Sequence, residues 1–163
     1  DVERSRGLGD VYKRQEYLRQ GHDVAMLNIG DISIYSTCSY ILNIIEKNGF
    51  ETEVCAGVPS FCAAAARLKK PLVSRKEVLV VAPGYTDELE SLMSVNGTKV
   101  IMKSGKHMNR VKKLVEKYGM SDNTIIVESC GLENERIHYG IDETENGYFS
   151  LMIIKTSEEN DNA

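Results

Sequence analysis

From Glu16 onward, short apolar runs alternate with amphipathic stretches, divided by Gly or Pro turns, and this alternation constrains the chain most. Runs of about four to eight apolar residues bounded by turn signals read as buried strands, while spacings of three and four place apolar residues on one helical face. Residues 24–29 (VAMLNI), 52–55, 77–82 (EVLVVA), 99–103 (KVIMK), 124–127 (TIIV) and 148–154 (YFSLMII) fit strands, the last at or near a sheet centre. Residues 36–47 put Tyr40, Ile41, Ile44 and Ile45 on one face, with Ser36 or Thr37 as N-cap and Asn48-Gly49 as stop. Residues 61–68 (FCAAAARL) form a helix of small residues, Thr86 caps a helix reading TDELESLM, and residues 107–118 carry Met108, Val111, Leu114 and Val115 on one face. A short hairpin is expected around residues 137–141. The alternation predicts an α/β architecture with a mainly parallel sheet finished by antiparallel pieces, giving a mixed sheet.

Four domain segments are expected. Residues 1–15 (DVERSRGLGDVYKRQ) lack apolar periodicity, and their end resembles translated adapter sequence. They are expected to be foreign or a flexible arm that packs against nothing, with native sequence starting near Glu16. Residues 16–50 then form part of an N-terminal α/β domain, with a boundary at residues 48–51. Residues 51–155 form a complete C-terminal α/β domain, and residues 156–163 a frayed polar tail.

Charge and cysteine content exclude several functions. The chain has 20 Lys+Arg against 24 Asp+Glu and a net charge of −4, without the positive footprint that a nucleic acid needs. It has no apolar run of the roughly 18 residues that suggests a membrane span. Cys38, Cys55, Cys62 and Cys130 form no CxxC pair and read as reduced thiols of a cytoplasmic protein, with no metal site.

Two stretches have the form of a ligand site. In LNIGDISIYST, a glycine after a buried strand lets backbone approach a ligand, and Asp31 either accepts hydrogen bonds from it or caps local amides. In AGVPSFCAAAARL, a strand-end glycine precedes the small-residue helix, whose first amides can meet a polar group or whose alanines serve only close packing. Neither GxGxxG nor GxxxxGK[ST] occurs. Cys62 lacks a neighbouring base and reads as a small buried cysteine; His22, His107 and His138 read as surface or capping groups. Lys103, Lys106, Lys112 and Lys113 read as a solvated face, and Met102 as core.

In order along the chain, LNIGDISIYSTCSY, GVPSFCAAAARLKKPL, VIMKSGK, ESCGLENERI and YFSLMIIK resemble the tetrapyrrole methylases. Within that family, the branch acting at C-20 of precorrin-2 or cobalt-factor II in cobalamin synthesis is the most similar. The resemblance covers residues 16–155. It implies two α/β domains with S-adenosylmethionine folded between them, transfer of its methyl group to a tetrapyrrole ring carbon, and a homodimer. It also implies that Ile29, Gly30, Asp31, Ile34, Tyr35, Pro59, Ser60, Met102 and Cys130 contact the cofactor, with Gly131 adjacent. Catalytic residues stay unassigned. The family's GDP turn has Ile32 in place of proline, which frees φ and restores an amide. The family's N-terminal strand and glycine-proline loop on the tetrapyrrole side are expected to be missing. The alternatives are another member of the family with a different substrate, or a fragment that only binds cofactor or self-associates.

Overall fold

The structure is a computed structural model and describes residues 8–141 and 150–155. Residues 1–7, the first part of the expected final strand and the expected tail at 156–163 lie outside the described residues. The chain divides into two compact units, Asp1–Pro59 and Ser60–Ala163, so the division falls later than the expected 48–51.

The first unit contains two helices, α1 (Leu8–Arg19) and α2 (Cys38–Lys47). Helix α1 runs through the expected start of native sequence at Glu16, and Gln15 within it is buried, so residues 1–15 do not all stand apart from the fold. Leu, Lys, Arg, Gln and Glu are good helix formers, and their intrinsic preference needs no apolar stripe. Helix α2 follows its sequence signals in position, but Tyr40, expected on its apolar face, is 71% exposed, and the N-cap Thr37 makes no side-chain cap hydrogen bond. Ser36 Oγ accepts the Cys38 N–H at 3.1 Å, and Ile45 is buried. Its C-terminus closes through Asn48 Nδ2 to the Ile44 carbonyl at 2.7 Å, with Gly49 at φ 82°. Residues 24–29 and 52–55, both expected as strands, are irregular, with Leu27 95% and Ile29 85% exposed. A strand exists only through its ladder, and neither run has a ladder among the described residues.

The second unit begins with α3 (Ser60–Leu68), followed by β1 (Leu79–Pro83), α4 (Leu89–Met93), β2 (Thr98–Met102), α5 (Met108–Lys117), β3 (Thr124–Glu128), β4 (Arg136–Tyr139) and β5 (Ser150–Ile154). The strands make one sheet in the order β1-β2-β5-β3-β4. Among the described residues only β1 and β2 pair in parallel; β2–β5, β5–β3 and β3–β4 are antiparallel, which corrects the mainly parallel expectation. A strand buried on both faces shows the same apolar run whichever way its neighbour points, so periodicity does not encode direction. The segment expected as a hairpin instead contributes β4, which pairs with β3.

Strand β5 occupies the centre, as its apolar run foretold, and both β3 and β5 are buried throughout. On one face, Ile101, Ile126, Met152 and Ile154 pack with Leu89 and Met93 of α4 and with Met108, Val111 and Val115 of α5. The spacing of those α5 residues is one helical stripe. Helix α3 lies against β5, and its buried Phe61 and Ala64 fall outside that cluster. Thr86 does not cap α4, which begins three residues later; its hydroxyl donates to Glu88 instead, at 2.6 Å.

Candidate functional site

Strand directions bring three strand ends to one edge of the sheet in the second unit. Strands β1, β2 and β3 run the same way, so their carboxyl ends at Pro83, Met102 and Glu128 share one sheet edge. That edge is where open α/β sheets place ligands. Met102 is half-buried at the end of β2, and Cys130 lies just beyond β3, with β5 between those two strands. Two site residues expected from sequence are thus brought to the same edge. Directly after these strands the backbone enters the left-handed region, at Lys103 (φ 52°), Ser129 (φ 51°) and Gly131 (φ 79°). Such geometry is unfavourable for residues with a Cβ and turns the chain sharply off the strand. Gly84 donates its N–H to the Met102 carbonyl at 2.7 Å, which ties two of the three strand ends.

Beside Cys130 lies a surface depression of about 580 Å³, bounded by Ala63 and Arg67 of α3, by residues 130–133 and by Glu135. Arg67 Nε donates to Glu135 Oε1 at 2.5 Å, and the Gly131 N–H donates to Glu135 Oε2 at 2.8 Å. Burial, then the Glu135 carboxylate, pushes the Cys130 thiol up, so it stays protonated and is a poor nucleophile. Cys62 is exposed on α3, contrary to the buried reading.

In the first unit the GD turn is closed by its own aspartate. Asp31 Oδ1 accepts from the hydroxyl of Ser33 at 2.5 Å and its N–H at 2.8 Å; Oδ2 accepts from the Gly57 N–H at 2.8 Å. The Ser33 hydroxyl, then the Ser33 and Gly57 amides, hold the Asp31 carboxyl below its ordinary range. Segments 26 residues apart therefore meet at one carboxylate. Gly30 has φ 89°, and a Cβ on Gly57 would overlap the Gly30 carbonyl oxygen. Ile34 is half-buried, Tyr35 is exposed at φ 49°, and Pro59 and Ser60 are half-buried.

Sequence reasoning passed over Ser33, the Gly57 amide and the Arg67–Glu135 pair. Glycine at a strand end was the available signal for Gly57, but its neighbour 27 positions away is visible only in three dimensions. His22 and His107 are exposed, whereas His138 is half-buried with Nε2 3.5 Å from Glu128, a pairing its sequence context did not show. Among the described residues no three His, Cys, Asp or Glu side chains cluster to hold a metal. No described helix is long and apolar enough to cross a membrane.

Residues 8–141 match the family described as Tetrapyrrole (Corrin/Porphyrin) Methylases, a match that begins inside the stretch set apart on sequence. The chain is 34% identical over 148 residues to a probable cobalt-precorrin-2 C(20)-methyltransferase of Methanocaldococcus jannaschii, covering 86% of this chain and 62% of that protein. It therefore spans about three-fifths of that relative's length. The fold is similar to a cobalt precorrin-4 methyltransferase, with a TM-score of 0.80 at 17% identity, over 94% of this chain and 72% of the other. It is also similar to the uroporphyrin-III C-methyl transferase of Thermus thermophilus complexed with S-adenosyl homocysteine, with a TM-score of 0.71 at 19% identity, over 91% and 73% of the two chains. A match over most of the sequence, on a sheet whose strand ends and left-handed turns share one edge, leaves one conclusion: the chain belongs to the tetrapyrrole (corrin/porphyrin) methylase family.

Proposed function

We propose that this chain acts as an S-adenosylmethionine-dependent methyltransferase at C-20 of precorrin-2 or cobalt-factor II in cobalamin synthesis. The observation that carries the substrate reading is its 34% identity to the C(20)-methyltransferase relative. The cofactor reading is supported by the homocysteine form bound to the Thermus thermophilus neighbour. A homodimer in the cytoplasm belongs to the same reading.

The residues present fit such a cofactor. It joins an apolar thioether-like centre and a flat base to polar ribose and amino-acid ends, so it needs apolar surface beside backbone donors and acceptors. Within the first unit Ile29 and Val58 are exposed apolar side chains, and within the second Met102 is a half-buried thioether at a strand end. The resemblance supports contacts to it from Gly30, Asp31 and Pro59 in the first unit, and from Ser60, Met102 and Cys130 in the second. When bound, the cofactor supplies an electrophilic methyl group for in-line displacement by an electron-rich carbon. The chain's part is to align that group and exclude water, which acts on the orientation cost of the reaction. With its thiol protonated, Cys130 contributes main chain there and no competing thiolate.

The test is methyl transfer from labelled S-adenosylmethionine by this chain and by a version extended to the relative's full length. Precorrin-2, cobalt-factor II and precorrin-4 are offered separately. Transfer to C-20 of either of the first two supports the proposal. Transfer to precorrin-4 alone would replace the substrate reading, and failure of both versions to bind S-adenosylhomocysteine would overturn the cofactor reading.

A further inference from the structure

Resting on the reading that the loop after β3 contacts the cofactor, we propose that Glu135 is the positioning residue that holds this loop in its binding conformation, anchored by Arg67 on α3. The loop needs holding. Ser129 carries a Cβ at φ 51°, Gly131 sits at φ 79°, and successive turns close from Leu132 N to Ser129 O at 2.9 Å and from Glu135 N to Leu132 O at 3.1 Å. The Gly131 N–H, inside the first of these turns, is captured by Glu135 Oε2 at 2.8 Å. The other oxygen of the same carboxylate takes the Arg67 guanidinium at 2.5 Å. One side chain thus ties the backbone beside Cys130 to the helix that begins at Ser60, across the depression they share.

The exposures assign the roles. The Glu135 side chain is 14% exposed and that of Arg67 63%. A guanidinium still in water adds little through the ion pair by itself. The half-buried Glu135 carboxylate is the acceptor for the Gly131 N–H, so removing it leaves that amide to find another partner. The Gly131 amide and then Arg67 hold the Glu135 carboxyl below its ordinary range, so the group that accepts from both is the carboxylate.

Calorimetric titration of S-adenosylhomocysteine, hydrogen exchange across residues 129–132 and thermal melts test this on the chain and its extended version. Glu135→Ala should speed exchange in that loop and weaken binding by about ten-fold, as expected for a lost charge-assisted hydrogen bond, with a small change in melting. The exchanged pair, Arg67→Glu with Glu135→Arg, restores the ion pair but offers Gly131 no acceptor. It should melt close to the parent and still not recover the affinity. Parental affinity in Glu135→Ala, unchanged exchange, or recovery of affinity in the exchanged pair would each overturn the proposal. Absence of binding by both unsubstituted versions would instead overturn the cofactor reading, and this inference with it.

Discussion

Residues 24–29 (VAMLNI) and residues 124–127 (TIIV) look alike on paper, both short apolar runs between turn signals. In the structure they part company. The second lies in β3, buried throughout, with β5 on one side and β4 on the other. The first is irregular, and Leu27 is 95% exposed. An apolar run creates a demand for partners, and only neighbouring strands and covering helices meet it. The second unit is therefore held by volume and the GD turn of the first by a polar joint, a contrast that substitutions can break.

The largest effect is expected at Ile126, fully buried in the cluster that α4 and α5 cover. Ile126→Ala removes packed atoms and leaves a cavity, costing about 2–5 kcal/mol by denaturant melt. A loss below 1 kcal/mol would mean that this face collapses freely and that the contrast is overstated. Next is Ala64 on α3, also fully buried. Ala64→Leu overpacks the site and should cost ~1–3 kcal/mol, and an unchanged melt would show spare room around α3.

The first unit should answer to pH more than to volume. The Asp31 carboxyl is held below its ordinary range by Ser33 and Gly57, so its folded value lies beneath its unfolded one. Its contribution is then complete at neutral pH and is lost as pH falls through the folded value. Asp31→Asn should melt lower than the parent at neutral pH, with the gap closing on acidification. A gap independent of pH would show that charge is not what holds the turn. Smallest of all is Leu27→Ala, which should change stability by no more than about 0.5 kcal/mol. A substantial loss would show that Leu27 is covered in solution.

Several elements were legible because their signals are local. The stripe Met108, Val111 and Val115 gave α5, the small residues gave α3, and the unbroken apolar run of β5 announced a central strand. For the site, the glycine of the GD turn and the half-buried Met102 were named from sequence, and the structure puts Met102 and Cys130 on one edge of the sheet. Harder cases are those in which partners decide. Thr86 has the chemistry of an N-cap yet bonds to Glu88, and Gln15 sits in a helix without an apolar stripe yet is buried.

By itself, then, the sequence determined which segments seek burial, where α2, α3 and α5 fall, and which family's motifs recur, because periodicity and glycine turns act over a few residues. Tertiary structure alone decided that β5 enters antiparallel between β2 and β3, that residues 24–29 form no ladder, and that Asp31 reaches Gly57 and Glu135 reaches both Gly131 and Arg67. Strand direction and carboxylate partners depend on which backbone lies alongside, and a hydrogen bond across 26 or 68 residues leaves no periodic trace in the chain that forms it.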